Sequence, residues 1–359
     1  MDQEYLIVSA ADLRAYVVRF LRRFDVPAED AHIAAEVLVA ADLRGIESHG
    51  VIRLQSYYGF RLQQGLIDPH ASLTVLHETP ATLALDGGNG LGQPIAYRAM
   101  TRCIEKARET GVALVTVRNS NHYGIAGYYA MMALPHQMIG LSLTNSQPLV
   151  VPTYGRQAMV GTNPIAIAVP ARHERPFVLD MATSVVPIGR VTVHQKQGLP
   201  IPLGWAVNAE GVPTTDPNEV VGGRGAVMPL GGTAEHRGYK GYGLGVMVDI
   251  LCGVLSGAAF GMHVGHPEHG GAANIGHFFA AIRIDAFRDL ADFTADMDQM
   301  IRELKESPKA KGEERIYIAG EKEYELAEYR QAHGIPLHVT TVAMLKKVGD
   351  EVGVPFDLA

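Results

Sequence analysis

The 359-residue chain has few cysteines and no excess of basic residues. Its two cysteines, Cys103 and Cys252, both lie within apolar stretches of helical character. A disulfide framework requires more cysteines at closer spacings, so we expect both to be buried as small hydrophobic residues. The net charge is −7. Because phosphate binding requires a basic surface, this charge argues against nucleic acid as a partner.

Signals for export and for membrane insertion are also lacking. The first ten residues, MDQEYLIVSA, are acidic and contain no apolar core of a signal peptide, so we expect a cytoplasmic protein. One apolar run, residues 245–265, is long enough to resemble a membrane span. It contains Asp249 and several glycines, which favours a buried helix, and we expect no membrane partner.

The spacing of apolar residues changes along the chain. In the N-terminal part it predicts three helices, over residues 9–24, 27–45 and 48–65. Later, short β-branched segments alternate with helices, which predicts an α/β domain with a mixed, mostly buried sheet. We therefore predict an N-terminal helical lobe of residues 1–72, with residues 322–359 packed on it. Residues 73–321 would form the central α/β domain.

Three polar residues recur at intervals of four within the third predicted helix. His49, Arg53 and Tyr57 would project from one side of a continuous helix. Arginine presents a planar fork of donors that suits a carboxylate. Histidine can exchange a proton with an oxygen near neutral pH. The alternative is a solvent-exposed polar stripe opposite a core stripe. That core stripe comprises Val51, Leu54 and Tyr58.

A second histidine follows a predicted strand. The segment RNSNHYGIAGYYA places His122 between that strand and a helix. In α/β sheets, ligand-binding groups collect at the carboxyl ends of strands. An Asn-rich turn that caps the next helix is the alternative. Polar residues around Ser146 and Asn163 repeat this pattern. Asp180 closes a strand, where its carboxylate could accept hydrogen bonds from ribose hydroxyls or cap a helix.

Two familiar motifs are incomplete. The stretches DGGNGLGQ and KGYGLGV lack the third glycine of the dinucleotide-binding fingerprint, so a conventional Rossmann site is not predicted. His263, His266 and His269 are spaced by three in a loop, which fixes no ligand geometry, and no H-E-x-x-H motif is present. We predict no metal site. A metal-dependent hydrolase or lyase that uses the histidine clusters is the alternative of another class.

Seven motifs together are more specific than any one of them. They are DLRGIESHGVIRL, NSNHYGIAGYYA, TNSQPLVVPTYG, GTNPIAIAVP, LDMATS, KGYGLGVMVDILCGVLSGAAFG and NIGHFFAAI, in this order between about residues 42 and 282. This series resembles the malate/L-lactate dehydrogenase family, which is unrelated to the Rossmann-type lactate and malate dehydrogenases.

The resemblance implies hydride transfer between NAD(P)H and the C2 carbonyl of a small 2-oxo acid. Reduction of a cyclic imino acid or a diketo sugar acid is the alternative on the same scaffold. It further implies a non-Rossmann nicotinamide site, with NAD as the expected cofactor and NADP as the alternative, and a homodimer. The acid/base histidine matches His49 or His122. Arg53 matches the residue that holds the substrate carboxylate, with Ser48 and Tyr57 beside it. The matching cofactor positions are Ser146, Asp180, Met181, Ala182, Lys240, Ala319, Gly320 and Glu321.

Overall fold

The computed structural model describes residues 4–266 and 270–358. The helices among these residues are α1 (Ala10–Arg22), α2 (Ala28–Leu43), α3 (Phe60–Gln63), α4 (Gly92–Thr110), α5 (Ala126–Met131), α6 (Ile188–Gln197), α7 (Tyr239–Asp249), α8 (Leu290–Glu306), α9 (Glu321–His333) and α10 (Val339–Glu351). The strands are β1 (Tyr5–Val8), β2 (Thr74–Glu78), β3 (Thr82–Asp86), β4 (Val112–Ser120), β5 (Met138–Thr144), β6 (Ile165–Val169), β7 (Phe177–Met181), β8 (Ala206–Val207), β9 (Pro213–Thr214), β10 (Ala226–Val227), β11 (Ile275–Arg283) and β12 (Ile335–His338).

A seven-stranded mixed sheet forms the centre of the fold, in the order β2-β3-β4-β11-β5-β6-β7. Only β3 and β4 pair in parallel, and every other neighbouring pair in this sheet is antiparallel. The predicted mixed α/β class is confirmed. A conventional Rossmann sheet is parallel throughout, so the non-Rossmann prediction is confirmed as well.

The strand directions place several polar segments at one edge of the sheet. Since β11 and β6 run opposite to their neighbours, β3, β4, β5 and β7 all point the same way. Their carboxyl ends therefore meet at the same edge. The segment with His122 follows β4, Ser146 follows β5, and Asp180 lies near the end of β7.

The two ends of the chain pack together. Strand β1 pairs with β12 in an antiparallel ladder. Buried side chains of α1, α2 and α10 share one hydrophobic core, which includes Leu13, Phe20, Leu38 and Leu345. Helix α1 begins as its sequence predicts, because the Ser9 side chain accepts a hydrogen bond from the Asp12 backbone N–H. The division of the chain into domains at residue 72 stays a prediction.

The continuous third helix was a wrong prediction. Residues 47–49 and 51–53 form two separate 3₁₀ turns, and a π-helical turn over residues 54–59 leads into α3. The break lies at Gly50, whose backbone is extended (φ −86°, ψ −152°). The cause is Asp42 of α2, because its side chain accepts the Val51 backbone N–H at 2.9 Å. His49 therefore does not lie on one helix with Arg53 and Tyr57.

The two cysteines are buried as expected, but the long apolar run is not the buried helix that the sequence predicted, because Ile250, Val254 and Leu255 are each more than half exposed. Cys103 and Cys252 are both buried and free of disulfide bonds. Asp249 is buried at the end of α7, which continues only as a π-helical turn to Val254. No helix in the described part of the chain has the length and apolar character needed to cross a membrane.

Candidate active site

The two candidate histidines lie against each other although they come from distant parts of the chain. The rings of His49 and His122 are stacked with centroids 5.6 Å apart. The Tyr57 ring contacts His122 edge-on, with centroids 4.8 Å apart. The segment that follows α2 thus packs against the carboxyl end of β4. The structure brings three of the five predicted catalytic and substrate-binding residues into direct contact.

Arg53 and Ser48 complete this cluster. The Arg53 Nε donates a hydrogen bond to the Ser48 carbonyl at 2.7 Å, and its guanidinium carbon lies 4.6 Å from the Tyr57 ring centre. Within residues 4–266 and 270–358, the terminal nitrogens of Arg53 make no hydrogen bond or ion pair. The Ser48 hydroxyl lies 3.0 Å from Nδ1 of His49. The guanidinium is thus fixed through its Nε and through the Tyr57 ring. Its two terminal nitrogens are left as paired donors, a geometry that suits a carboxylate.

Both imidazoles are neutral near pH 7. Burial, followed by the positive charge of Arg53, lowers the pKa of His49 to about 4. Burial also lowers the pKa of His122 well below its usual value, with smaller contributions from His49, Arg53 and His277. A neutral imidazole can donate an N–H to a carbonyl oxygen or accept a proton from an alcohol. An anionic substrate would offset the charge of Arg53 and favour protonation of either ring.

Tyr58 belongs to the site, which its position in the apolar pattern did not indicate. It is 1% exposed and lies in the N-terminal hydrophobic core, as predicted. Its hydroxyl, however, is 2.6 Å from Nδ1 of His122. Only the residue type could have indicated this role. A buried tyrosine hydroxyl requires a hydrogen-bond partner, and the apolar residues around Tyr58 in the sequence offer none.

Three of the predicted cofactor residues line one cavity of about 280 Å³: Asp180, Ala319 and Gly320. Ile125 and Gly127 also line it, so the cavity begins close to the segment that carries His122. The Asp180 carboxylate accepts the Gly127 backbone N–H at 2.7 Å. Burial raises the pKa of Asp180 to about 6, although that N–H opposes the shift. Its other oxygen can accept hydrogen bonds from a ligand hydroxyl.

The remaining predicted cofactor residues have other surroundings. The Ser146 hydroxyl accepts the Thr162 backbone N–H at 3.1 Å. Lys240 is exposed in the first turn of α7. Met181 ends β7 and Ala182 follows it, but neither lines the cavity.

Glu321 is occupied by cations of its own chain. Lys305 lies 2.7 Å and Arg315 2.6 Å from its Oε1. Burial alone would raise its pKa, but hydrogen bonds from Lys305, the Ile318 backbone and Arg315 lower the pKa of Glu321 to about 2.

The sequence model of the malate/L-lactate dehydrogenase family matches residues 8–346. The chain belongs to this family. It is 48% identical over 355 residues to a malate dehydrogenase of Pyrococcus abyssi, which covers 99% of this chain and 97% of that protein. It is 36% identical to a malate/(S)-sulfolactate dehydrogenase of Methanothermus fervidus, covering 97% of this chain and 99% of that one. The structure of a malate dehydrogenase from Pyrococcus horikoshii is similar, with a TM-score of 0.91, 46% identity, and 98% and 97% of the two chains covered.

Family membership confirms the predicted reaction class. The protein is an oxidoreductase that acts on 2-hydroxy acids, and its relatives imply a nicotinamide cofactor. The comparisons favour neither the reductase of cyclic imino acids or diketo sugar acids nor the metal-dependent hydrolase or lyase. In the described ranges, no group of three or more potential metal ligands is assembled. His269 of the spaced histidine series lies outside these ranges.

Proposed function

We propose that this enzyme is an NAD-dependent malate dehydrogenase. The contact of His49, His122 and Tyr57 beside the open fork of Arg53 is the observation that carries the proposal. A 2-oxo acid requires a guanidinium or similar cation for its carboxylate and, beside it, a proton donor for its carbonyl oxygen. Malate is favoured among 2-hydroxy acids because relatives of 48% identity over nearly the whole chain bear that name.

Each residue of the cluster has a chemical role in this proposal. Arg53 binds the C1 carboxylate, and Tyr57 and Ser48 hold Arg53 in place. When bound, the nicotinamide supplies the hydride to C2 or accepts it. His122 exchanges a proton with the reacting oxygen, since Tyr58 occupies its Nδ1 and leaves Nε2 for the substrate. His49 lies beside it as a second hydrogen-bonding group at the same oxygen.

The position of Asp180 is the reason for choosing NAD over NADP. Two carboxyl groups, of Asp180 and Glu323, and two cations, Arg44 and Lys322, line the cavity, so its overall charge favours neither cofactor. A 2′-phosphate placed directly beside the Asp180 carboxylate would be repelled. Asp180 suits a ribose diol as acceptor. We propose that Met181, Ala182, Ala319 and Gly320 form the adjoining backbone of the cofactor site.

Several assignments rest on the family resemblance alone. Ser146, Lys240 and Glu321 stay predictions as cofactor residues. The homodimer and the cytoplasmic location likewise stay predictions.

The reaction can be followed by the absorbance of the reduced nicotinamide at about 340 nm. We would assay oxaloacetate, pyruvate and sulfopyruvate with NADH and with NADPH, before and after exhaustive chelation. We expect the highest kcat/KM with oxaloacetate and NADH, unchanged by chelation. Preference for NADPH would refute the cofactor proposal, and loss of activity on chelation would favour the metal-dependent alternative.

The catalytic assignment has its own test. His122→Ala should lower kcat by about two to four orders of magnitude, because the developing oxyanion loses its proton donor. His32→Ala is the matched control, since His32 is exposed on α2 and bonds only its own helix carbonyl at Ala28. If His122→Ala and His32→Ala have equal turnover, His122 is not the proton-exchanging residue.

A further inference from the structure

The hydrogen bonds behind His122 determine which of its nitrogens carries the proton. Nδ1 lies 2.6 Å from the Tyr58 hydroxyl and 3.4 Å from the Gly124 backbone nitrogen. A backbone N–H can only donate, so this long contact favours a lone pair on Nδ1 in the resting enzyme. The Tyr58 hydroxyl then also donates to Nδ1. In the resting enzyme the single proton of this neutral ring therefore lies on Nε2.

Tyr58 has an unusual neighbour in Gln93. Gln93 is fully buried in the first turn of α4. In the part of the chain that the structure describes, neither its amide nitrogen nor its amide oxygen forms a well-oriented hydrogen bond. The amide nevertheless lies close enough to the Tyr58 hydroxyl to lower the pKa of that phenol slightly, against the larger effect of burial. A buried amide without a partner is costly, which calls for a function.

The start of α4 is tightly fixed against the His122 segment. A Cβ at Gly92 would lie 2.3 Å from the Asn121 carbonyl oxygen and 2.4 Å from the His122 carbonyl oxygen. The helix therefore approaches this backbone as closely as a glycine permits. The backbone that carries Gln93 is therefore fixed relative to the His122 segment.

We propose that Tyr58 and Gln93 form a reversible hydrogen-bond pair that serves His122 in each of its protonation states, as positioning residues for proton transfer. The proposal rests on the assignment of His122 as the proton-exchanging residue. When Nδ1 is unprotonated, Tyr58 donates to it and the Gln93 amide N–H can donate to Tyr58 Oη. When Nδ1 is protonated, it donates to Oη, and the hydroxyl turns to the Gln93 amide oxygen.

This exchange fits the balance of the reaction. In reduction, an imidazolium transfers its Nε2 proton to the oxygen while C2 receives the hydride. The ring is left neutral with its remaining proton on Nδ1, which then donates to Tyr58. In oxidation the same steps run backward, so the ring must first carry its single proton on Nδ1, where it is donated to Tyr58, and the unprotonated Nε2 then accepts the alcohol proton. Because Tyr58 keeps its own proton in every step, no charged phenolate has to form in the core.

A phenol bonded to Nδ1 affects the protonation of His122 differently from a carboxylate in the same place. A carboxylate would hold the ring as imidazolium, whereas a phenol can accept or donate without favouring the charged ring. Among the residues that the structure describes, the titratable groups that face His122 are His49, Arg53, Tyr57, Tyr58 and His277. None of them is a carboxylate.

The test is Tyr58→Phe in the full-length enzyme. We expect kcat to fall about ten- to hundred-fold, with little change in KM, since the ring loses its orienting partner but Arg53 is untouched. Tyr16→Phe is the matched control. Tyr16 is equally buried in the same hydrophobic core, and its hydroxyl donates to the Leu345 carbonyl at 2.7 Å, so loss of that hydroxyl should affect stability and not turnover.

Gln93→Met tests the second member of the pair. It should lower kcat less than Tyr58→Phe does, and it should cause no further loss in a Tyr58→Phe background, since the two residues act as a unit. Independent, multiplicative losses would refute the pair.

The tautomer itself provides a readout that a structural role would not change. In ¹⁵N-histidine-labelled enzyme, with the His122 signals assigned from His122→Ala, we expect an unprotonated Nδ1 and a protonated Nε2. Tyr58→Phe should yield a mixture of tautomers. Wild-type kcat and an unchanged tautomer in Tyr58→Phe would overturn the inference alone. Full activity in His122→Ala would overturn the proposed role of His122, on which the inference rests.

Discussion

Gly50→Ala should disturb the contact between Asp42 of α2 and the segment of residues 47–53, which carries His49 and Arg53. A Cβ at Gly50 would lie 1.9 Å from Oδ1 and 2.3 Å from Cγ of Asp42, far inside contact distance. Asp42 is 1% exposed and cannot swing into solvent, and its other oxygen holds the Val51 backbone N–H. The backbone of the loop must therefore move, or this hydrogen bond must break.

The size of the effect follows from these two contacts. Leaving a buried N–H without its acceptor costs about 1–3 kcal/mol. Overpacking by one methyl group in a rigid site also costs about 1–3 kcal/mol. Because one response replaces the other, we expect the free energy of unfolding to fall by about 1–3 kcal/mol. The residue before Gly50 is His49, and Arg53 follows three positions later. A shift of about 1 Å at these groups should lower kcat/KM about a hundred-fold.

Urea unfolding and steady-state kinetics measure both effects. Gly189→Ala in α6 is the control, because no atom lies within 4 Å of its added Cβ, and it should be neutral or slightly stabilising. In an Asp42→Ala background the clash is absent, so Gly50→Ala should then cost little. A Gly50→Ala enzyme with wild-type stability, or with the same cost in both backgrounds, would refute the reasoning.

Three further predictions concern binding, pH and the cofactor cavity. Arg53→Lys should raise KM for the oxo acid about ten-fold or more with a smaller change in kcat, because an ammonium cannot grip a carboxylate with two parallel donors; equal KM values would contradict this role. Burial raises the pKa of Asp42 to about 7, above its unfolded value near 4, so its stabilising contribution is complete below pH 4 and is lost as pH rises to 7. Between pH 4 and 7, the free energy of unfolding of Asp42→Asn should therefore rise relative to that of wild type by up to about 4 kcal/mol, measured by urea titration. If the two free energies change in parallel with pH, the pKa of Asp42 is not raised. Gly320→Ala should destabilise the enzyme by about 1–3 kcal/mol, since φ is +87° and the added Cβ would lie 2.8 Å from that of Val178. It should also weaken NADH binding, measured by fluorescence. Unchanged binding would show that this turn does not contact the cofactor.

Local sequence pattern by itself determined several features of this protein. The predicted strand before His122 is present as Val112–Ser120, and α1 begins within one residue of its predicted start, because backbone and neighbouring side chains decide both. The order and residue types of the motifs determined the family and hence the reaction class. Such features depend on residues close in sequence, which a linear pattern records.

The tertiary structure alone decided how the site is assembled. The helical stripe predicted for His49 does not exist, because Asp42 of α2 captures the Val51 N–H and bends the chain at Gly50. His49 nevertheless joins the cluster, because its ring stacks on that of His122 at the end of the sheet. Tyr58, a core residue by its pattern, hydrogen-bonds that same ring. The break at Gly50 depends on a side-chain hydrogen bond between neighbouring segments, and the contacts of His122 join segments distant in sequence. Apolar periodicity carries no information about which buried polar groups will meet.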